Sequence, residues 1–142
     1  MMSPDLQMSV LCDDVRQERS GKFILIGLFD IIGMPQFPAV FPRVCIVNRW
    51  CSGQGVFKEK TRIVGPDNGI VVAEGQEIAV QLANPETSAT NVEFFMNLKF
   101  EKEGVYWIEI LLDGDLKLRY PLRVNRVNAP PMPQGGGDAM QA

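Results

Sequence analysis

The chain has 142 residues, enough for one well-cored domain and too few for two, with 46% hydrophobic and 22% charged side chains. Fourteen basic and seventeen acidic residues leave a formal charge of −3, so nothing global draws the chain to nucleic acid or an anionic membrane. It contains no histidine, which excludes Ser-His-Asp triads and histidine zinc sites and removes the usual neutral-pH acid/base group.

Residues 1–5, Met-Met-Ser-Pro-Asp, carry no basic residue and lead into no apolar run of signal-peptide length. The expected compartment is therefore the cytoplasm, and no segment reaches the roughly 18 to 20 apolar residues of a membrane-spanning helix. Cys12, Cys45 and Cys51 lack CxxC spacing. On one extended strand Cys45 and Cys51 would stand about 20 Å apart at 3.3 Å per residue, too far for a disulfide. The three thiols are expected to be free, small hydrophobes in a reducing compartment.

Apolar residues recur mostly with period two, the pattern of half-buried strands. Leu6, Met8, Val10 and Cys12 form the first such run. Residues 22–32 form a second, apolar on both faces, with Phe23, Leu25 and Phe29 on one and Ile24, Ile26, Leu28 and Ile32 on the other. Such a strand is expected to be covered on both sides. Residues 33–42 hold Pro35, Pro38 and Pro42, which predicts an extended crossing loop anchored by Phe37 and Phe41 rather than a central strand.

Strands then follow at 43–50, 56–64, 70–73 and 77–82, separated by Gly-rich and Pro-Asp-Asn-Gly turns. In the strand at 91–101, Val92, Phe94, Met96, Leu98 and Phe100 alternate with polar residues. The last two strands, 105–112 and 116–124, join through Asp113-Gly114-Asp115, a strong hairpin signal. No window carries a sustained 3.6-residue stripe, so little helix is expected. Residues 1–124 form one domain in this reading, and 125–142, with three prolines and a Gly-Gly-Gly run, form a flexible tail.

Many short strands without intervening helices predict an all-β, two-sheet antiparallel sandwich with an elaborated N-terminal hairpin. Glu103-Gly104-Val105-Tyr106 at the start of the penultimate strand resembles the tyrosine corner of immunoglobulin-like domains, with Ile108 where an antibody domain has cysteine. That resemblance implies residues 43–50, 56–64, 91–101 and the last two strands in the places lettered B, C, E, F and G. Leu11-Cys12-Asp13-Asp14-Val15-Arg16, the run from Gly21 to Asp30, Pro35-Gln36-Phe37-Pro38 and Glu103-Gly104-Val105-Tyr106 together resemble an uncharacterised bacterial family of short β-sandwich proteins. It implies only an all-β fold, with no activity, cofactor or site to carry over.

Asp13, Asp14, Asp30, Asp113 and Asp115 fall near strand ends, and converging loop carboxylates could hold Ca²⁺ or a small ligand. The spacing matches no dedicated calcium loop, and aspartate serves turns in any case. No phosphate loop, GxGxxG turn or GxSxG elbow is present, and a hydrolase built on a carboxylate pair would need a cleft. The expectation is therefore a non-enzymatic protein without a cofactor.

Parity gives the main candidate site. Lys58, Lys60 and Arg62 share one face of the 56–64 strand, Lys117, Arg119 and Arg123 one face of the last strand, and Val105, Trp107, Glu109 and Leu111 one face of the strand between. Side by side, these predict a sheet face with an apolar stripe at Trp107 flanked by basic stripes, suited to a protein partner or a second copy of the chain. Either that face is open or residues 22–42 lie over it.

Overall fold

A computed structural model of the chain describes residues 1–67 and 69–128. Ten strands run in order: β1 (Asp5–Gln17), β2 (Phe23–Phe29), β3 (Ile31–Met34), β4 (Ala39–Cys51), β5 (Gly55–Val64), β6 (Val71–Glu74), β7 (Ile78–Leu82), β8 (Ser88–Phe100), β9 (Gly104–Leu112) and β10 (Asp115–Arg126). They form an all-β, two-sheet architecture. The smaller sheet has the order β2-β1-β4-β8, and the larger has β3-β10-β9-β5-β6 with β7 also paired to β5. All pairings are antiparallel except β3 with β10. Between the sheets lies the main core, which includes Trp50, Phe100, Tyr106, Ile108, Ile110 and Leu122. Tyr106 donates from its hydroxyl to the Lys102 carbonyl at 2.6 Å, tying the loop before β9 to its first turn of strand.

Three expectations change. The run at 22–32 is two strands, because the chain leaves the small sheet after Phe29 and crosses to pair Ile31–Met34 with the end of β10. β2 is consequently an edge strand, and Ile24, Ile26 and Leu28 are exposed rather than covered on both faces. The proline loop is also shorter than expected. β4 begins at Ala39 and includes Pro42, which is tolerated because the β1 pairing of β4 ends at Cys45 and leaves that stretch paired to β8 alone. β10 likewise runs past residue 124 to Arg126, and the Val127 amide donates to the Met34 carbonyl. The rest of the expected tail, 129–142, lies outside the described residues.

The third change concerns the faces of the strands. Asn97 has a left-handed φ of 53° and stands opposite Pro42 in the β4–β8 register. Both strands turn over at that point together. Before it on β8, Phe95 is buried while Phe94 and Met96 are exposed; after it, Leu98 and Phe100 are buried. On β4, Phe41 and Val44 both pack on the main core although their parity differs. The expected alternation through Val92, Phe94 and Met96 is therefore reversed on the near side of Asn97.

Asp13 and Gly27 form a second break of this kind in β1–β2, with Gly27 at φ 72°. Leu11 and Phe29 pack on the main core, whereas Val15 and Leu25, of the same parity, pack on the opposite face against Cys12, Cys45 and Val47. A Cβ at Gly27 would overlap the Asp13 carboxyl, so glycine is required there both by space and by backbone conformation. The outer half of the hairpin thus curls over the small sheet and builds a second core on its far side.

Cys12 and Cys45 are directly opposed across β1 and β4 in this second core, and both are buried. Burial pushes the Cys45 thiol up to about 12 and raises Cys12 as well, so neither supplies thiolate near neutral pH. Native protein treated with an aromatic disulfide reagent is expected to release one equivalent, from half-buried Cys51, and three only after denaturation. Rapid reaction of two or more thiols in the native state contradicts a closed second core.

Candidate functional site

The outer face of the larger sheet is assembled from β5, β9 and β10, which lie side by side. Register sets Arg62 opposite Glu109 and Glu109 opposite Arg119, forming one row across the three strands. Trp107 lies in the next row, between Val64 and Pro121, and Val105 faces Arg123. Among the described residues, the ten strands all belong to the two sheets, and none crosses over this face. Residues 22–42 do not cover Trp107: they form β2, β3 and the start of β4, while Phe37 packs on the main core.

The charges are arranged differently from the expected pair of basic stripes. Arg62 donates to Glu109 at 2.6 Å, and Arg119 approaches the other Glu109 oxygen at 3.5 Å. Lys60 pairs with Glu74 at 3.4 Å and Lys58 lies 4.0 Å from Glu77, because β6 and the start of β7 bring acidic residues alongside β5. Four of the six predicted cations are thereby matched within the chain. Lys117 and Arg123 have no carboxyl partner among the described residues. The bulge between Leu116 and Leu118 takes Lys117 out of the regular ladder.

Trp107 is half-buried, with the Arg119 guanidinium carbon 4.4 Å from its ring centroid, and Leu111 is buried farther along β9. Arg119 thus serves Glu109 through charge and Trp107 through its flat guanidinium face. Beside the tryptophan, Asp30, Ile31, Val105, Pro121 and Arg123 line a depression of about 190 Å³ at the junction of β3, β10 and β9. The expected face exists, but its open part is this corner rather than the centre.

The loop aspartates are not brought together. Asp14 is held by Arg16 at 3.1 Å and Arg43 at 3.2 Å and caps the Val15 amide. The Arg16 hydrogen bond, then the Val15 amide, hold its carboxyl below the usual range. Asp113 accepts from the Lys58 amide at the β9–β10 turn, and Asp30 lies in the β2–β3 crossing. Asp13 sits at the β1 bend and Asp115 opens β10. No group of three or more metal-ligating side chains occurs among the described residues. The five aspartates thus stand at separate places in the fold, and the carboxyls of Asp14 and Asp113 are engaged by neighbouring groups of the chain.

Sequence reasoning missed a polar cluster between the sheets. Glu59 on β5 is fully buried and accepts from Trp50 Nε1 at 2.6 Å, Asn48 Nδ2 at 3.0 Å and Asn91 Nδ2 at 3.2 Å. Asn48 also reaches Thr61 Oγ1 at 3.2 Å. Glu93 enters the same layer beneath Gly75, where a Cβ would overlap its carboxyl. Burial, reinforced by the neighbouring Glu59, pushes Glu93 up to about 7. The inward parity that Glu59 shares with Phe57 and Ile63 was the available signal, whereas Glu93 was hidden by the turnover at Asn97.

A family model covers residues 7–125, spanning the paired strands and this cluster. The chain belongs to DUF6941, a family of unknown function. No match to a curated protein was found. The DUF6941 region begins within β1 and ends within β10, so it contains both sheets, the second core and the Trp107 face. No helix among its described residues is long and apolar enough to cross a membrane.

Proposed function

We propose that this DUF6941 chain is a non-enzymatic, cytoplasmic interaction module that binds a partner protein through the corner of the larger sheet beside Trp107. The observation that carries this reading is the depression between Asp30, Ile31, Val105, Pro121 and Arg123, next to a tryptophan whose ring already holds Arg119. Aromatic and arginine anchors around a small pocket are what concentrates binding energy at protein interfaces. Arg123, without a carboxyl partner among the described residues, favours a partner that sets an acidic group beside an apolar side chain. Placement of Glu59 between the sheets, accepting from Trp50, Asn48 and Asn91, supports a structural rather than catalytic use of that carboxyl. Free thiols support the compartment, and the β5-β9-β10 order with the Tyr106–Lys102 bond supports the immunoglobulin-like reading.

A photoreactive side chain placed at Val105 in full-length protein should cross-link a discrete partner in its native cell extract. Trp107→Ala combined with Arg123→Glu should abolish that product. Trp107→Ala alone should cost about 1–2 kcal/mol, mostly one half-buried contact with Arg119. Unchanged cross-links in the double variant overturn the proposal. So does wholesale unfolding by Trp107→Ala, because the indole would then be core rather than surface.

A further inference from the structure

The curled hairpin encloses a groove of about 560 Å³ between its tip and the outer face of the small sheet. Met8, Leu25 and Val47 contribute apolar surface; Lys22, Arg49 and Thr90 contribute polar atoms. No acidic residue lines it among the described residues. Arg49 is half-buried, donating from Nε to Gln7 Oε1 at 3.1 Å and from Nη1 to Thr90 Oγ1 at 2.7 Å. Both partners are neutral, and no carboxyl pairs with Arg49 among the described residues.

A guanidinium partly withdrawn from water and given only neutral acceptors retains an unmet demand for negative charge. Gln7 and Thr90 fix its plane and leave Nη2 uncommitted, while Lys22 adds a second cation from the hairpin tip. The groove volume falls in the range of small-molecule sites, whose walls are mostly apolar with a few oriented polar groups. The carboxylate would meet Arg49 and Lys22, and the chain would lie along Met8, Leu25 and Val47. We infer that this groove binds a small amphiphilic carboxylate, an anionic head carrying a short apolar chain. It is separate from the Trp107 corner, which lies on the outer face of the other sheet.

Isothermal titration of the full-length protein with octanoate, octylammonium and 1-octanol tests this directly. Octanoate should bind with 1:1 stoichiometry at concentrations up to about 5 mM, and the other two should not. Arg49→Gln should weaken octanoate at least tenfold, whereas Arg49→Lys should retain binding within a few fold and show an unchanged melting temperature. Two results overturn the inference: no octanoate heat with wild-type protein, or equal binding of octanol. Undiminished octanoate binding by folded Arg49→Gln does so as well.

Discussion

Glu59→Ala should lower stability by about 3–5 kcal/mol, a large share of what a domain of this size possesses. The side chain is 1% exposed and is the common acceptor for Trp50, Asn48 and Asn91. Alanine removes the acceptor of three N–H groups, of which those of Trp50 and Asn48 are fully buried between the sheets, while half-buried Asn91 keeps the Ala79 carbonyl. Each such orphan costs about 1–3 kcal/mol, and the donors belong to two different strands of the small sheet, β4 and β8. The loss therefore loosens the contact between layers as well as the local packing. Glu59→Gln should be intermediate, since it keeps one acceptor oxygen and turns an amide N–H₂ towards a donor. Urea unfolding followed by tryptophan fluorescence measures both variants. A loss below about 1 kcal/mol for alanine would mean that the cluster is wetter and looser than its geometry indicates.

The second large effect is a dependence of stability on pH that runs opposite to ordinary acid denaturation. Glu93 is raised from 4.5 to about 7 by burial and by the neighbouring Glu59. The folded protein therefore holds a proton that the unfolded chain has already released above pH 4.5. Its contribution is complete below that value and is lost as pH rises through about 7. Partial contact of Glu93 with water reduces the effect, and a fall of roughly 5 °C in melting temperature between pH 5 and pH 8 is expected. Glu93→Gln keeps a neutral side chain at all pH values and should flatten this slope, with its largest gain over wild type at pH 8. Parallel slopes for the two proteins would place the titration elsewhere. A melting temperature that climbs from pH 5 to pH 8 in wild type would contradict the burial of this carboxyl.

How far the sequence could be read depended on whether a strand keeps one face to the core. In β5 and β9 the inward parity holds throughout, and Phe57 and Ile63, or Tyr106, Ile108 and Ile110, pack into the main core as it requires. The hairpin at Asp113-Gly114 and the adjacency of β5, β9 and β10 were legible for the same reason. Parity failed at Asn97 and Gly27, because a left-handed residue reverses the faces without leaving a gap in the apolar pattern. The edge position of β2 was also hidden. Its composition, Phe-Ile-Leu-Ile-Gly-Leu-Phe, is that of a doubly covered strand, and only the crossing after Phe29 leaves it at a margin. At the Trp107 face the strand parity was legible, but the charge balance rests on Glu109 between Arg62 and Arg119, and on Glu74 and Glu77, which reach β5 through pairings of β6 and β7 that the sequence did not reveal.

At both turnovers the two partner strands reverse together, so their pairing register continues unchanged on either side. Loss of Asn97 alone would shift every downstream residue of β8 by one place against β4, breaking the pairings of Leu98 with Phe41 and of Phe100 with Ala39. Loss of Asn97 and Pro42 together would preserve alignment and erase the reversal. Changes of length within these strands are therefore tolerable only in opposed pairs. A change of length at Pro42 calls for a matching one at Asn97, and at Asp13 for one at Gly27, although the members of each pair are apart along the chain.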